Sequence, residues 1–88
     1  QMNGLHMNEL DESQLKEIIA VVMKVDVGEI SEATSMDTLE KWDSLAHMNL
    51  VLTLESEYGI SLPDDDAVNM TSYKLIKMVL GELLGGLK

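Results

Sequence analysis

The stretch from Trp42 to Glu55 constrains the fold of this chain most strongly, because an irregular segment changes there into a periodic apolar one. Four side chains recur there at helical spacing, namely Leu45, Met48, Leu52 and Glu55. Three more, Val51, Leu54 and Tyr58, widen the apolar face. Because Gly59 can end a helix in a left-handed conformation, the pattern predicts a helix from about Ser44 to Tyr58.

The start of this predicted helix is suited to binding an anion. Asp43 or Ser44 can cap the helix by accepting hydrogen bonds from the N–H groups of its first turn. The helix dipole places partial positive charge at the same turn. A hydroxyl that lies there, outside the apolar stripe, is well placed to hold an anion such as a phosphate ester, and Ser44 supplies that hydroxyl.

The composition limits the functions open to the chain. Its 88 residues suit one domain, and without cysteine that domain has no disulfides and no thiolate metal ligands. Six Lys and Arg against sixteen Asp and Glu give a formal net charge of −10. Such a charge repels nucleic-acid backbones and anionic membranes, so we expect neither as a partner and expect basic protein surfaces instead.

A first helix and a long loop precede the central helix. A capping box that starts at Asp11 begins the first helix, which is predicted to end near Val25. Its apolar stripe consists of Leu15, Ile18, Ile19 and Val22. The loop, residues 26–41, is long for so small a domain and therefore needs anchors of its own. The candidates for these anchors are Ile30, Met36 and Leu39.

Two more helices follow, and the expected fold is an all-α four-helix bundle of three longer helices and one short one, with a long first loop. The short third helix is predicted at residues 64–69, after Pro63. Thr71 or Ser72 is expected to cap the fourth helix. The apolar stripe of that helix consists of Leu75, Ile76, Val79, Leu80 and Leu83.

The Asp43-Ser44-Leu45 tripeptide resembles the Asp-Ser-Leu motif of acyl carrier proteins, whose serine carries a 4′-phosphopantetheine arm. Residues 50–60 resemble the family's Leu-x-x-x-Leu-Glu-x-x-aromatic-Gly-Ile run, and residues 62–66, Leu-Pro-Asp-Asp-Asp, match its next turn. The resemblance covers residues 9–84, and it implies a helical bundle whose long first loop ends at the modified serine.

The resemblance implies a carrier and not an enzyme. Its covalent cofactor would be 4′-phosphopantetheine, attached to Ser44, and the thiol of this arm would hold acyl groups as thioesters. The expected partners are a phosphopantetheinyl transferase and acyl-activating, acyltransferase or condensing enzymes with basic patches. The residues expected to take part in partner recognition are Trp42, Asp43, Leu45, His47, Met48, Glu55 and Asp64.

Departures from the family's pattern indicate a specialised carrier rather than the main fatty-acid one. Ala46 and Asn49 stand where fatty-acid carriers are often acidic, and Trp42 stands where a small residue is common. The Gly-Gly pair that precedes the serine of many peptidyl carriers is missing, although an aminoacyl or peptidyl carrier stays an alternative. Trp42 is more simply an anchor for the end of the loop. Five methionines in the predicted fold are expected to be core residues, and because they are flexible they can in addition shelter an acyl chain between the helices; these are Met23, Met36, Met48, Met70 and Met78.

Three other interpretations compete with a carrier. Asp43, Ser44 and His47 can be drawn as a hydrolase triad, but Asp43 lies on the wrong side of the serine, and no glycine-rich turn offers an oxyanion hole. Residues 64–66 lack the alternating ligands, glycine and distal Glu of a calcium loop, so no metal site is predicted. An unmodified helical interaction module has the same fold and charge, and only modification of Ser44 separates it from a carrier.

The remaining expectations concern location and the chain ends. No apolar run approaches the roughly 20 residues of a membrane span, and no basic-then-apolar leader opens the chain, so we expect a cytoplasmic monomer. The domain is predicted to span residues 8–84. Residues 1–7 are expected to be a disordered tail or an expression remnant, and residues 85–88 a frayed tail, because glycines weaken the end of the last helix.

Overall fold

The structure, a computed structural model, describes residues 10–86, which form four helices: α1 (Glu12–Met23), α2 (Ser44–Tyr58), α3 (Asp64–Asn69) and α4 (Tyr73–Gly81). A 3₁₀ turn at Val27–Glu29 lies in the long loop, and a π-helical turn at Glu82–Gly86 follows α4. Residues 10–86 contain no strand, only an isolated antiparallel bridge between Ser35 and Ser72. The predicted all-α fold of three longer helices and one short helix is confirmed.

The helices begin where the sequence places a cap. Asp11 caps α1, Asp43 caps α2 and Ser72 caps α4, and in each case the side-chain oxygen accepts a hydrogen bond from a first-turn N–H group. Helix α3 begins after Pro63 and has no side-chain cap. The bounds predicted for α2 and α3 are confirmed, and of the two candidates for the α4 cap it is Ser72 that accepts the bond.

Helix α1 ends two residues earlier than predicted. Lys24 adopts a left-handed conformation with a φ of 62°. Its N–H group bonds to the Val21 carbonyl at 3.2 Å, and the Val25 N–H group bonds to the Ala20 carbonyl at 3.0 Å. This is the Schellman arrangement, which satisfies the last carbonyls of a helix and turns the chain away from its axis. The helix therefore stops at Met23, although the apolar pattern continues to Val25.

The long loop is held by its own hydroxyl groups. Thr34 is buried, and its Oγ1 accepts a hydrogen bond from the Ser31 N–H group at 2.8 Å and donates one to the Glu29 carbonyl at 3.0 Å. The Thr34 carbonyl accepts a bond from the Tyr73 N–H group at 2.9 Å, which ties the loop to the start of α4. These bonds order a segment that has almost no regular secondary structure.

The core is built from α1, α2, α4 and the segments that join the helices. Its buried apolar side chains are Leu15, Ile19, Ala20 and Met23 of α1, Leu50 and Leu54 of α2, Tyr73, Ile76 and Leu80 of α4, and Ile30, Trp42, Leu62 and Met70 between them. The predicted loop anchors are confirmed, because Ile30 is buried and Met36 and Leu39 are half-buried against this core. The α4 stripe needs correction, since Leu75 and Leu83 are exposed and Tyr73 is buried instead.

The apolar face predicted for α2 is divided between the core and the surface. Leu50 and Leu54 are fully buried, whereas the stripe of Leu45, Met48 and Leu52 is exposed. Apolar residues occur on both sides of this helix, and packing against α1 buries only one of them. The surface therefore carries an apolar stripe that a purely structural helix would not need.

The described residues leave several predictions untested. The predicted N-terminal tail, residues 1–7, lies outside the described residues, and so do residues 87 and 88 of the predicted C-terminal tail. The domain bounds of residues 8–84 stay a prediction. None of the helices within residues 10–86 has the length and apolar character needed to cross a bilayer.

Candidate functional site

Ser44 is exposed at the first position of α2. Asp43 precedes it in an extended conformation, and the Asp43 Oδ1 accepts a hydrogen bond from the Ala46 N–H group at 2.9 Å. The Asp43 carbonyl accepts the His47 N–H group at 2.8 Å and closes the first turn. The Ser44 side chain thus lies on the surface of a helix start that is already capped by its neighbour, where a second protein can reach the hydroxyl.

An apolar groove runs beside this helix start, between α2 and α3. Its volume is about 350 Å³, and it is lined by His47, Met48, Val51 and Leu52 of α2 and by Asp64, Ala67 and Val68 of α3. The walls are open to solvent, because Met48 is 63% exposed, Leu52 61% and Val68 70%. An apolar ligand or the apolar side chain of a partner can therefore be buried here without rearrangement of the core.

A second groove, of about 330 Å³, lies between the end of α1 and the start of α2. It is lined in part by Lys24 and Lys41 together with Asp43 and Leu45. The Lys41 Nζ also bonds to the Lys24 carbonyl at 3.4 Å, which holds the two segments together. In a chain with a formal net charge of −10, these two lysines place positive charge in a groove that Asp43 and Leu45, the chain neighbours of Ser44, also line.

His47 uses both of its ring nitrogens in contacts within the fold. The Trp42 Nε1–H donates to the His47 Nδ1 at 3.1 Å, and the His47 Nε2 lies 2.8 Å from the Ala67 carbonyl oxygen of α3. The two rings stack with centroids 6.1 Å apart and an angle of 22° between their planes. Because neither nitrogen is directed at Ser44, the geometry of the hydrolase triad is not formed.

Besides His47, two further residues predicted to recognise partners are engaged inside the fold. Trp42 is only 1% exposed, so its side chain offers almost no surface to a partner, and its part in partner recognition stays a prediction. Its predicted role as an anchor for the end of the loop is confirmed by this burial. Glu55 is half-buried, and its Oε2 accepts a hydrogen bond from the Leu62 N–H group at 2.8 Å, which holds the turn after α2.

The other predicted recognition residues are accessible around Ser44. Asp43 is exposed at the N-cap of α2, Leu45 and Met48 are exposed on α2, and Asp64 is exposed at the start of α3. Among the described residues, no group of three or more His, Cys, Asp or Glu side chains is arranged to hold a metal ion. The site therefore combines an exposed hydroxyl, an exposed apolar stripe and flanking carboxylates.

Comparison with known proteins identifies the family of this chain. Residues 13–80 match the family described as "Phosphopantetheine attachment site". The chain belongs to the acyl carrier protein family. A related carrier, "Polyketide-8 synthase acyl carrier protein 2" from Streptomyces avermitilis, is 36% identical over 78 residues, which span 83% of this chain and 88% of the relative.

The present chain therefore uses 4′-phosphopantetheine as a covalent cofactor, and it is a carrier protein rather than an enzyme. Its partners accordingly include a phosphopantetheinyl transferase and enzymes of a biosynthetic pathway. The site fits the arm on physical grounds, because Ser44 is exposed, its neighbours Asp43 and Leu45 line one groove, and His47 and Met48 of the same helix line another. Once bound, the arm supplies the thiol that forms the acyl thioester. The chain itself has no cysteine and therefore no thiol of its own.

Sequence reasoning missed the α3 wall of the apolar groove and the two lysines of the second groove. Ala67 and Val68 approach α2 only because the chain reverses after Gly59, and no local pattern relates them to Ser44. Lys24 and Lys41 are 17 residues apart and meet because the loop returns to the end of α1. No signal in the sequence identifies such pairs.

Proposed function

We propose that Ser44 is the residue that carries the 4′-phosphopantetheine arm. The observation that supports this assignment is the exposed position of Ser44 at the first residue of α2, immediately after a capping Asp43. The N-terminal turn of a 15-residue helix stabilises the negative charge of the phosphodiester. Lys24 and Lys41 add positive charge to the groove that Asp43 and Leu45, the chain neighbours of Ser44, also line.

The role of the chain in this reaction is to present a hydroxyl. Attachment forms a bond between the Ser44 oxygen and the phosphorus next to pantetheine in coenzyme A, breaks the bond between that phosphorus and the nucleotide, and releases the nucleotide. The proton of the Ser44 hydroxyl has to pass to a base of the transferase, because the His47 nitrogens are engaged by Trp42 and Ala67. No general base of this chain is needed.

We further propose that the carrier serves a specialised pathway, with polyketide assembly as the first candidate. The support is the named relative, which is a polyketide synthase carrier, together with Ala46 and Asn49, which are uncharged. Acyl-activating, acyltransferase or condensing enzymes with basic patches are the proposed partners, since Asp43 and Asp64 flank the exposed stripe of Leu45, Met48 and Leu52. The cytoplasmic location and the monomeric state stay predictions, as does the carrier domain at residues 8–84.

Intact mass spectrometry tests the assignment of Ser44. The protein is incubated with coenzyme A and a broad-specificity phosphopantetheinyl transferase, and we expect the mass to rise by one phosphopantetheine unit. The Ser44→Ala variant should gain nothing. Ser56→Ala is the matched control, because Ser56 is also an exposed serine on α2, and this variant should be modified like the wild type.

Each other outcome has a defined meaning. Modification of Ser44→Ala would move the attachment point to another serine and overturn the assignment. A folded wild-type protein that gains no mass with several transferases would favour the unmodified interaction module. Loading of the modified protein with malonyl, fatty acyl or aminoacyl groups by matched activating enzymes then separates a polyketide carrier from the fatty-acid and aminoacyl or peptidyl alternatives.

A further inference from the structure

Three parts of the fold meet at His47. Trp42 ends the long loop, His47 lies in the first turns of α2, and Ala67 belongs to α3. The indole Nε1–H of Trp42 donates to the His47 Nδ1 at 3.1 Å, and the His47 Nε2 lies 2.8 Å from the Ala67 carbonyl oxygen. We call this chain of contacts the Trp42–His47–Ala67 bridge.

The partners of the imidazole determine its tautomer. An indole N–H group can only donate, so the His47 Nδ1 must be an acceptor without a proton. A backbone carbonyl can only accept, so the His47 Nε2 must carry the proton. The neutral Nε2–H imidazole satisfies both contacts at once, and no other protonation state does.

Apart from the half-buried Ala67, which packs against the core, helix α3 has few other contacts that hold it in place. It contains six residues, none of which is buried, and its N-cap, Pro63, makes no side-chain hydrogen bond. The carbonyls of its last turn have no partner within the helix, and the Thr71 N–H group bonds to Asn69 rather than to Ala67. Buried Leu62 and Met70 anchor the chain on either side of α3, but neither of them belongs to it.

We propose that His47 is a positioning residue that fixes α3 against α2 through the Trp42–His47–Ala67 bridge. Ala67 and Val68 form the α3 wall of the apolar groove, and His47 itself lines the groove from α2. The bridge therefore sets the width of the groove beside Ser44. This inference goes beyond the proposed attachment at Ser44, because it concerns the fold before any modification.

The test uses amide hydrogen exchange on the unmodified chain. His47→Phe keeps an aromatic ring against Trp42 but removes both hydrogen bonds, whereas His47→Gln keeps one donor and one acceptor. In His47→Phe we expect the Ala67 N–H group, which bonds to the Pro63 carbonyl at 2.9 Å, to exchange roughly tenfold faster. His47→Gln should lie between this variant and the wild type.

Two controls distinguish positioning from general destabilisation. Met48→Ala removes an exposed side chain of the same groove without touching the bridge, and it should leave exchange in α3 unchanged. The Ile76 N–H group of α4 should keep its wild-type rate in every variant. Equal acceleration in α3 and α4, or an α3 rate that His47→Phe does not change, would overturn the proposal.

A measurement on the wild-type protein does not depend on the folding of any variant. The ¹⁵N resonances of the His47 ring at neutral pH should show a protonated Nε2 and an unprotonated Nδ1. The indole N–H of Trp42, the only tryptophan, should exchange slowly with water. A protonated Nδ1, or an indole proton that exchanges as fast as a free one, would refute the bridge. None of these readouts requires Ser44 to be modified, so failure of the bridge and failure of the attachment assignment can be told apart.

Discussion

Lys24 takes a backbone conformation that usually belongs to glycine. Its φ of 62° and ψ of 45° place it in the left-handed region, where a Cβ atom crowds the backbone. The Schellman bonds at the end of α1 require this conformation, so the strain is retained in the folded state.

Replacing Lys24 with glycine should therefore stabilise the protein. We expect Lys24→Gly to raise the free energy of unfolding by about 1 kcal/mol, because glycine adopts this conformation without a steric penalty. Lys24→Ala is the control, since it removes the same exposed ammonium group but keeps the Cβ atom, and it should give no gain. Urea denaturation measures both variants, and a loss of stability in Lys24→Gly would contradict the strain argument.

The two tyrosines differ in how their hydroxyl groups are satisfied. Among the described residues, the buried Tyr58 hydroxyl has no hydrogen-bond partner, and burial raises its pKa, helped by the nearby charges of Asp11 and Glu57. The Tyr73 hydroxyl donates to the Glu12 Oε1 at 2.9 Å. Burial raises the pKa of Tyr73 well above its usual range, and the bond to Glu12 raises it further.

Phenylalanine should consequently have opposite effects at these positions. Tyr58→Phe removes an unsatisfied buried group, and we expect the free energy of unfolding to rise by about 0.5–1 kcal/mol. Tyr73→Phe removes a hydrogen-bonded hydroxyl from the core and should lower the free energy of unfolding. Parallel thermal and urea unfolding of the two variants tests the contrast. Destabilisation by Tyr58→Phe would reveal a partner for that hydroxyl.

At the scale of elements, the long loop depends on hydroxyl groups that replace regular secondary structure. Thr34→Val keeps the side-chain shape but leaves the Ser31 N–H group and the Glu29 carbonyl without their partner. We expect a loss of about 1–3 kcal/mol in the free energy of unfolding, because these groups are partly buried. Thr38→Val, at an exposed position of the same loop, should cost clearly less, and equal losses would refute the role of burial.

Helix α2 has two apolar faces with different functions. Leu50 and Leu54 hold the helix in the core, and Leu45, Met48 and Leu52 remain at the surface next to Ser44. Exposed apolar area of this kind is unfavourable in isolation and is typical of a surface that meets other proteins or a ligand. The helix thus combines a structural role with presentation of the proposed attachment point.

At the scale of the whole molecule, one polar cluster joins α1, the loop and α4. The Lys77 ammonium contacts the Glu12 carboxylate at 3.4 Å and also pairs with Glu32 of the loop. The Tyr73 hydroxyl bonds to the same Glu12 carboxylate. The hydrogen bond from Tyr73 is the main cause that holds the pKa of Glu12 below its ordinary value, and the charge of Lys77 adds to it.

This cluster predicts a dependence of stability on pH. Because the pKa of Glu12 is lower in the folded than in the unfolded chain, ionised Glu12 stabilises the fold above its unfolded pKa of 4.5, and this contribution is lost as the pH falls. Glu12→Gln should therefore lose less stability than the wild type between about pH 6 and pH 3. Glu17→Gln, on the same helix and also exposed, is the matched control. Equal pH profiles of wild type and Glu12→Gln would contradict the prediction.

Local chemistry in the sequence determined most of the secondary structure and the proposed attachment residue. The caps at Asp11, Asp43 and Ser72, the glycine that ends α2 and the spacing of apolar residues are properties of short segments. They therefore predict four helices, and they place Ser44 at the start of α2. The resemblance to acyl carrier proteins also depends on contiguous residues, so it is independent of how the helices pack.

Tertiary structure alone decided which surfaces these helices use. Both faces of α2 are apolar, so only packing against α1 could select Leu50 and Leu54 for the core. Helix α1 ends before Lys24 because the loop that follows has to leave the helix axis at that point. The contact of His47 with Ala67 joins two helices whose relative positions no local pattern specifies, because a hydrogen bond between residues 20 apart depends on the folding of the chain between them.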